Sequence, residues 1–157
     1  MFLIYQLLLS LALVFSPIII IYRLFKNKEH KTRFVEKFSF NNKKRVNGRL
    51  IWFHGASVGE ILSIIPIVKY YEKHKKIKQI LVTSSTLSSA KVFEKFKFKK
   101  AVHQFYPIDY HFINKKFLNF WKPNLAIFIE SEIWPSMFNL LDKKKNSTSI
   151  IECKNNK

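Results

Sequence analysis

Glycine, cysteine and acidic residues are all scarce in this chain. Its 157 residues include three glycines, one cysteine and 10 acidic side chains, against 28 basic ones. The single cysteine, Cys153, excludes an intrachain disulfide and is typical of a reducing compartment. The cysteine and the five histidines lack the spacing of a metal-ligand set, and the chain has no internal repeat. The sequence therefore predicts no disulfide scaffold, no metal centre and no repeat architecture.

The charge of the chain is strongly one-sided. A net charge of +18 predicts attraction to an anionic partner. Lipid headgroups, phosphorylated substrates and nucleic acid all meet that description. Lys, Asn, Ile and Phe are abundant together, as in proteins from AT-rich genomes, so coding bias accounts for part of the excess. Charge alone does not choose among these partners.

The first 22 residues contain no Asp, Glu, Lys, Arg or His, and this length suffices for one membrane-spanning helix. A cleaved signal peptide is disfavoured, because no basic segment precedes the apolar run and no small-residue cleavage site follows it. Basic residues follow immediately, beginning with Arg23, Lys26 and Lys28. By the positive-inside rule, we expect a retained single-pass anchor with everything after Tyr22 in the cytoplasm.

The rest of the chain is long enough for one domain with a core, but not for two. We expect a basic connector over 23–48, one α/β domain over 49–141 and a polar tail over 142–157. Apolar strands alternate with helical segments, which predicts a doubly wound parallel sheet. The predicted strands are 49–53, 80–83, 102–106 and 125–129, and the predicted helices are 60–71, 87–96, 110–121 and a short one ending near 141. Ile150-Ile151 has the composition of one further strand.

Ligands of doubly wound sheets bind beyond the carboxyl ends of the strands. That rule selects three turns, 54–60, 84–86 and 130–134. Two of the three glycines lie in the first turn, where small residues let a ligand approach the backbone closely. The candidate site residues in these turns are His54, Gly55, Ser57, Gly59 and Glu60 in the first, Ser84, Ser85 and Thr86 in the second, and Glu130 and Glu132 in the third.

Each ionisable candidate has a structural and a chemical interpretation. Glu60 stands at a predicted helix start, where an acid either stabilises the helix or accepts a proton from an attacking hydroxyl. Glu130 and Glu132 follow the most hydrophobic strand and either pair with lysines, orient substrate hydroxyl groups or stabilise developing positive charge. His54 is either a hydrogen-bonded structural residue or a donor to a substrate oxygen.

Residues 55–59 also match the G-x-S-x-G nucleophile elbow, which would make Ser57 the nucleophile of a serine hydrolase. The elbow of that fold follows several strands, whereas this one follows the first. The available acid and histidine, Asp109 and His111, lie together in one short loop. We therefore keep the hydrolase only as a remote alternative.

The Phe- and Lys-rich stretch 91–100 has two interpretations as well. Its rings are candidates for stacking on nucleic acid bases. Phe93 and Phe96, however, are three residues apart, as in the buried stripe of a helix. A membrane anchor also makes nucleic acid a poor partner, so we favour the buried stripe.

Taken together, these residues resemble the amino-terminal half of the 3-deoxy-D-manno-octulosonic acid (Kdo) transferases. The resemblance follows the family's order from the apolar start and its basic flank to about Leu141. The matching segments are Ile51 to Glu60, Leu81 to Thr86, Tyr106 to Asp109, Phe120 to Pro123 and Glu130 to Pro135.

The resemblance implies the first of two Rossmann-like halves of a GT-B glycosyltransferase, which transfers Kdo from CMP-Kdo to a lipid A precursor. Glu60 matches the family's proton acceptor, and Glu130 matches a position credited with stabilising the transition state. No cofactor beyond the donor substrate is implied. The implied partners are the lipid A precursor and anionic lipids at the cytoplasmic face of the inner membrane, without nucleic acid.

The sequence departs from the family pattern at its end. Family members continue into a second half that holds the donor, and we find no match to that half. We therefore expect an inactive fragment, with a tail over 142–157 that is truncated or aberrant through a frameshift or a split gene. The alternative is a non-catalytic module that binds the lipid A precursor, or one half of a split enzyme whose other half is separately encoded.

Overall fold

The computed structural model describes residues 18, 22–23, 25–26, 28–40, 43–129 and 134–143, together with the backbone of 149–153. The predicted anchor over 1–22 lies outside these ranges apart from Ile18 and Tyr22, and it stays a prediction. Among the helices that the structure describes, none is both long and apolar enough to cross a membrane.

Five parallel strands form one sheet in the order β3-β2-β1-β4-β5. Helices alternate with the strands along the chain, which confirms the predicted α/β sheet. A 3₁₀ helix, Arg33–Phe38, precedes the first strand. The elements are β1 Arg49–His54, α1 Val58–Lys73, β2 Ile77–Ser84, α2 Leu87–Glu94, β3 Ala101–Phe105, α3 His111–Trp121, β4 Leu125–Ile129, α4 Pro135–Lys143 and β5 Ser149–Cys153.

The structure differs from the prediction mainly at the ends of elements. Strand β2 begins at Ile77 rather than at residue 80, and α1 begins at Val58 rather than at Glu60. Within the predicted tail, β5 pairs in parallel with β4, and Ile150 lies opposite Ala126. This part of the tail therefore adds a strand to the sheet, as the apolar pair at 150–151 suggested.

Both faces of the sheet are covered, so the strands read as continuous apolar runs. Side chains of β1 alternate between the faces, as the period of a strand requires. Leu50 and Trp52 pack with residues of α3 and α4, whereas Ile51 and Phe53 pack with residues of α1 and α2. The result is three layers, with two helices on each side of the sheet.

The Phe- and Lys-rich stretch contributes to the second of these cores. Phe93 is 4% exposed and lies in the cluster beneath α1 and α2. Phe96 and Phe98 are half-buried against the same cluster, with the Phe93 and Phe98 ring centroids 5.4 Å apart. The prediction of a buried stripe is therefore confirmed for Phe93, whereas Phe96 lies beyond the end of α2 and is only partly buried.

The 3₁₀ helix is fastened to strand β3 by buried charged groups. Glu36 is fully buried and accepts hydrogen bonds from the Arg33 Nε at 2.8 Å and from the Phe105 N–H at 2.9 Å. Arg33 in turn donates to the His103 carbonyl oxygen at 3.0 Å. The middle of the predicted connector, residues 33–38, is thus packed into the domain.

Replacing Glu36 by alanine should lower the free energy of unfolding by about 3 kcal/mol. The change leaves a largely buried guanidinium and a strand N–H without their carboxylate acceptor. Chemical denaturation followed by circular dichroism measures the loss. Glu94→Ala is the control, because Glu94 pairs with the same Arg33 at 2.5 Å but its side chain is 55% exposed. We expect this control to lower the free energy of unfolding by less than about 1 kcal/mol. Equal losses in the two variants would contradict the role of Glu36 in fastening the 3₁₀ helix to β3.

Candidate active site

The strand order reverses between β1 and β4, and this position is where doubly wound sheets bind ligands. The chain leaves β1 toward α1 on one face, and it returns from β4 into α4 on the other. The turn 54–60 therefore flanks the switch point on one side. The predicted turn 130–134 follows β4 in the chain, and its Glu130 and Glu132 lie outside the described residues.

The turn after β1 ends in a reciprocal cap at the start of α1. The Glu60 N–H donates to the Ser57 Oγ at 3.3 Å, and the Ser57 N–H donates to the Glu60 Oε1 at 3.2 Å. The Ala56 N–H donates to the other carboxylate oxygen, Oε2, at 2.8 Å. Glu60 is half-buried, so its carboxylate is held in one orientation while part of it still faces solvent.

This geometry bears out the structural interpretation of Glu60. The side chain does stabilise the helix start, as a capping box does. Each carboxylate oxygen, however, has two lone-pair directions, and each uses one of them for a backbone N–H. These two bonds therefore leave lone pairs of the carboxylate unused.

The two glycines of the turn have different physical roles. A Cβ on Gly55 would lie 3.0 Å from both the Glu60 Cβ and the Ile64 Cδ1, so only glycine lets α1 pack this closely on the turn. A Cβ on Gly59 would meet only the Ser57 Oγ, at 4.0 Å. Gly59 is exposed beside Glu60, and it leaves the surface there open.

His54 belongs to the core beneath the turn. Its ring is 2% exposed, its Nδ1 lies 3.0 Å from the Thr83 Oγ1, and its centroid is 4.0 Å from that of Tyr106. Burial lowers its pKa to about 3, although the hydrogen bond with the Thr83 backbone acts in the opposite direction. The ring is therefore neutral at physiological pH, and this burial favours the structural interpretation.

The three hydroxyl residues at the end of β2 and just after it lie in three different environments. Ser84 is fully buried, with its Oγ 2.8 Å from the His103 Nε2. Thr86 caps α2 by accepting a hydrogen bond from the Ser89 N–H at 3.2 Å. The Ser85 Oγ is shielded from solvent and has no hydrogen-bond partner among the groups that the structure describes.

A hydrogen bond joins this second turn to the first. The Ser89 Oγ donates to the Ala56 carbonyl oxygen at 3.2 Å, across the start of both helices. The Gly55 N–H also donates to the Thr83 carbonyl oxygen, at 3.1 Å. The two turns therefore form one continuous rim at the carboxyl ends of β1 and β2.

The serine hydrolase alternative finds no matching geometry. The Ser57 hydroxyl caps α1. The Asp109 carboxylate accepts hydrogen bonds from the Ser136 and Met137 N–H groups at the start of α4, both at 2.9 Å. The structure therefore assigns the G-x-S-x-G sequence to a helix cap.

Sequence reasoning missed the structural role of Asp109, which is 2% exposed. One signal for it exists in the sequence. Trp134-Pro135 opens a helix without a capping side chain of its own, so the acceptor must come from elsewhere in the fold. Within the described ranges, His, Cys, Asp and Glu side chains form no group of three that could hold a metal ion.

A family model for 3-deoxy-D-manno-octulosonic-acid transferase (kdotransferase) matches residues 32–154 of the chain. The chain belongs to the Kdo transferase family. The match includes the 3₁₀ helix, all five strands and the capped turn. The members of this family are glycosyltransferases, which agrees with the predicted class of enzyme.

Individual relatives give the same result. The Kdo transferase of Rickettsia bellii is 43% identical over 142 residues, which are 90% of this chain and 34% of the relative. A probable mitochondrial Kdo transferase of Arabidopsis thaliana is 35% identical over 137 residues, 85% of this chain and 31% of the relative. The Haemophilus influenzae Kdo transferase is 27% identical over 136 residues, which are 84% of this chain and 32% of the relative. The chain thus spans about a third of the length of the curated relatives it matches.

Gly55→Ala should lower the free energy of unfolding by about 1 to 3 kcal/mol, because the added methyl group forces α1 away from the turn. Gly59→Ala is the matched control, and we expect its stability to be unchanged or raised by up to about 1 kcal/mol. Thermal and urea unfolding measure both variants. A Gly55→Ala variant as stable as the parent protein would contradict the steric role.

Stability should also fall as the pH drops below about 6.5, because an unfolded histidine takes up a proton that the folded His54 refuses. One such group contributes up to about 1.4 kcal/mol per pH unit between the two pKa values. Burial also lowers the pKa of His103 to about 3, so it contributes in the same direction. His54→Gln should therefore reduce the dependence of the unfolding free energy on pH between about 5 and 6.5 without abolishing it. The same substitution at an exposed histidine, His74→Gln, is the control. An unchanged slope in His54→Gln would show that His54 is protonated in the folded protein.

Proposed function

We propose that this chain supplies the acceptor side of a reaction that transfers Kdo from CMP-Kdo to a hydroxyl of a lipid A precursor. The observation that carries the proposal is the Glu60 carboxylate, which backbone N–H groups hold beside the switch point of a sheet that belongs to the Kdo transferase family. A carboxylate fixed in this way is oriented before the substrate arrives.

In the proposed reaction, Glu60 is the proton acceptor. The acceptor hydroxyl oxygen forms a bond to the anomeric carbon of Kdo, and the bond from that carbon to the phosphate oxygen of CMP breaks. The hydroxyl proton passes to a free lone pair of the Glu60 carboxylate, and the leaving electron pair departs with CMP. No redox or metal cofactor is needed to balance these steps, so we propose that none is used.

We assign two further roles around the same switch point. Glu130 stabilises the positive charge that develops on the sugar in the transition state, and Glu132 orients substrate hydroxyl groups. Gly55, Ser57 and Gly59 present the capped turn to the acceptor. The Ser85 hydroxyl is our candidate for a hydrogen bond to the substrate, since no described group satisfies it.

We assign the CMP-Kdo side of the reaction to the part of the family's sequence that the 157 residues do not match. A C-terminal half of that kind, whether joined or separately encoded, is the proposed protein partner. Without it, we expect the chain to bind the lipid A precursor but not to transfer Kdo.

We place the reaction at the cytoplasmic face of the inner membrane. The apolar segment 1–22 is the proposed anchor. The net charge of +18 favours both the anionic lipid surface and a phosphorylated acceptor. The domain would then work where its lipid-embedded substrate is found.

Glu60→Gln tests the chemical role. The assay uses the chain alone and the chain fused to the remaining two thirds of the Rickettsia bellii relative, here called the fused enzyme, with CMP-Kdo and lipid A precursor as substrates. We expect Glu60→Gln to lower kcat of the fused enzyme by about 10² to 10⁴ while donor affinity stays within about threefold.

The control separates proton transfer from helix capping. Glutamine keeps one capping acceptor but replaces the other with a donor, so Glu60→Gln also costs about 1 kcal/mol of stability. Ile65→Val removes a buried methyl group from the same helix at a similar cost and leaves the carboxylate in place. Equal rates for the two variants would contradict the role of Glu60 as a base, and rapid transfer by the chain alone would contradict the assignment of the donor side.

A further inference from the structure

One buried carboxylate holds the start of α4 from outside that helix. Asp109 lies in the loop between β3 and α3. Its Oδ2 accepts a hydrogen bond from the Ser136 N–H at 2.9 Å, and its Oδ1 accepts from the Met137 N–H at 2.9 Å. The Asn114 side-chain amide donates to the same Oδ1 at 2.6 Å. Asp109 and Ser136 are each at most 2% exposed, so water does not compete for these bonds.

The helix needs this remote acceptor because its own first residues cannot supply one. The first N–H groups of any helix lack a partner within the helix. A short polar side chain just before the helix usually accepts them, but here that position holds Trp134, whose ring carries only a donor. Pro135 at the first helical position has no N–H at all. The N–H groups of Ser136 and Met137 are thus the ones left to satisfy, and both bind Asp109.

The same loop also fixes the side chain that precedes the helix. The Tyr106 ring centroid lies 4.9 Å from that of Trp134 and 4.0 Å from that of His54. The Tyr106 N–H donates to the Ser84 carbonyl oxygen at 2.9 Å, which ties the loop to the end of β2. The loop from Tyr106 to Asp109 therefore makes two contacts. Asp109 binds the backbone at the start of α4, and Tyr106 packs between the rings of Trp134 and His54.

We propose that Asp109 is a positioning residue for Kdo transfer, an inference that rests on the proposed function. Asp109 fixes the position of the start of α4 relative to the turn that carries Glu60. The carboxylate fixes Ser136 and Met137, their helix fixes Trp134, and Trp134 packs on His54 at the head of that turn, 6.4 Å between centroids. Asp109 itself lies beneath the rim and does not touch the substrate.

Asp109→Asn is the variant that tests this role, because asparagine keeps the size of the side chain but turns one acceptor into a donor. One of the two helix N–H groups then loses its partner. Hydrogen exchange measured on the chain itself should show faster exchange at Ser136 and Met137, with unchanged exchange in β1. In the fused enzyme, kcat should fall by about ten- to a hundredfold, with the KM for CMP-Kdo changed by less than about threefold.

Val68→Ala is the matched control for simple loss of stability. Val68 lies in α1 and is fully buried in the core on the opposite face of the sheet, and the change removes core contacts without touching the rim. Both variants are assayed at a temperature where each is fully folded. Asp142→Asn, an exposed aspartate near the end of α4, controls for the charge.

The outcomes separate this inference from the proposed function. Unchanged exchange at Ser136 and Met137 overturns the positioning role whatever the activity. A fall in kcat no larger than that of Val68→Ala also overturns it, because Asp109 would then be structural only. If the unmodified fused enzyme transfers no Kdo, the proposed function fails. Hydrogen exchange at Ser136, at Met137 and in the 54–60 turn then decides alone whether Asp109 couples α4 to that turn.

Discussion

The rim of this domain depends on the hydrogen bonds that two backbone N–H groups, of Ala56 and Ser57, donate to one carboxylate. They end the turn after β1, start α1 and fix the orientation of Glu60 in a single arrangement. Gly55 makes the arrangement possible, because a side chain there would collide with the helix. The structural and chemical interpretations of Glu60 are therefore not exclusive, since the bonds that stabilise the helix are the same ones that orient the carboxylate.

Side chains cap three of the helix starts around the rim, each in a different way. The first is capped by its own turn, through Ser57 and Glu60. The second is capped locally by Thr86 and is joined to the first through Ser89. The start of α4 depends on Asp109 from another loop. The bonds of Ser89 and Asp109 join segments that are distant in the chain, whereas the caps of Ser57 and Thr86 are local.

Local patterns in the sequence were sufficient to predict the sheet and the turns at its carboxyl end. Strand β4 has the bounds that its apolar run predicts, and the alternation of strands and helices gives the parallel topology. The pairings of Glu36 and Asp109 were not predictable in the same way, because each acid meets backbone N–H groups far away in the chain. The burial of His54 depends on Tyr106 in the same manner. Such contacts are set by tertiary packing, which periodicity does not encode.

The 3₁₀ helix has a consequence for how the sheet can grow. Strand β3 stands at one edge, and an unsatisfied strand edge is a template for pairing with another chain. Here the Phe105 N–H and the His103 carbonyl oxygen, which an added strand would use, are already taken by Glu36 and Arg33. Edge-to-edge association through β3 is therefore blocked by two side chains. The other edge strand of the described sheet is β5.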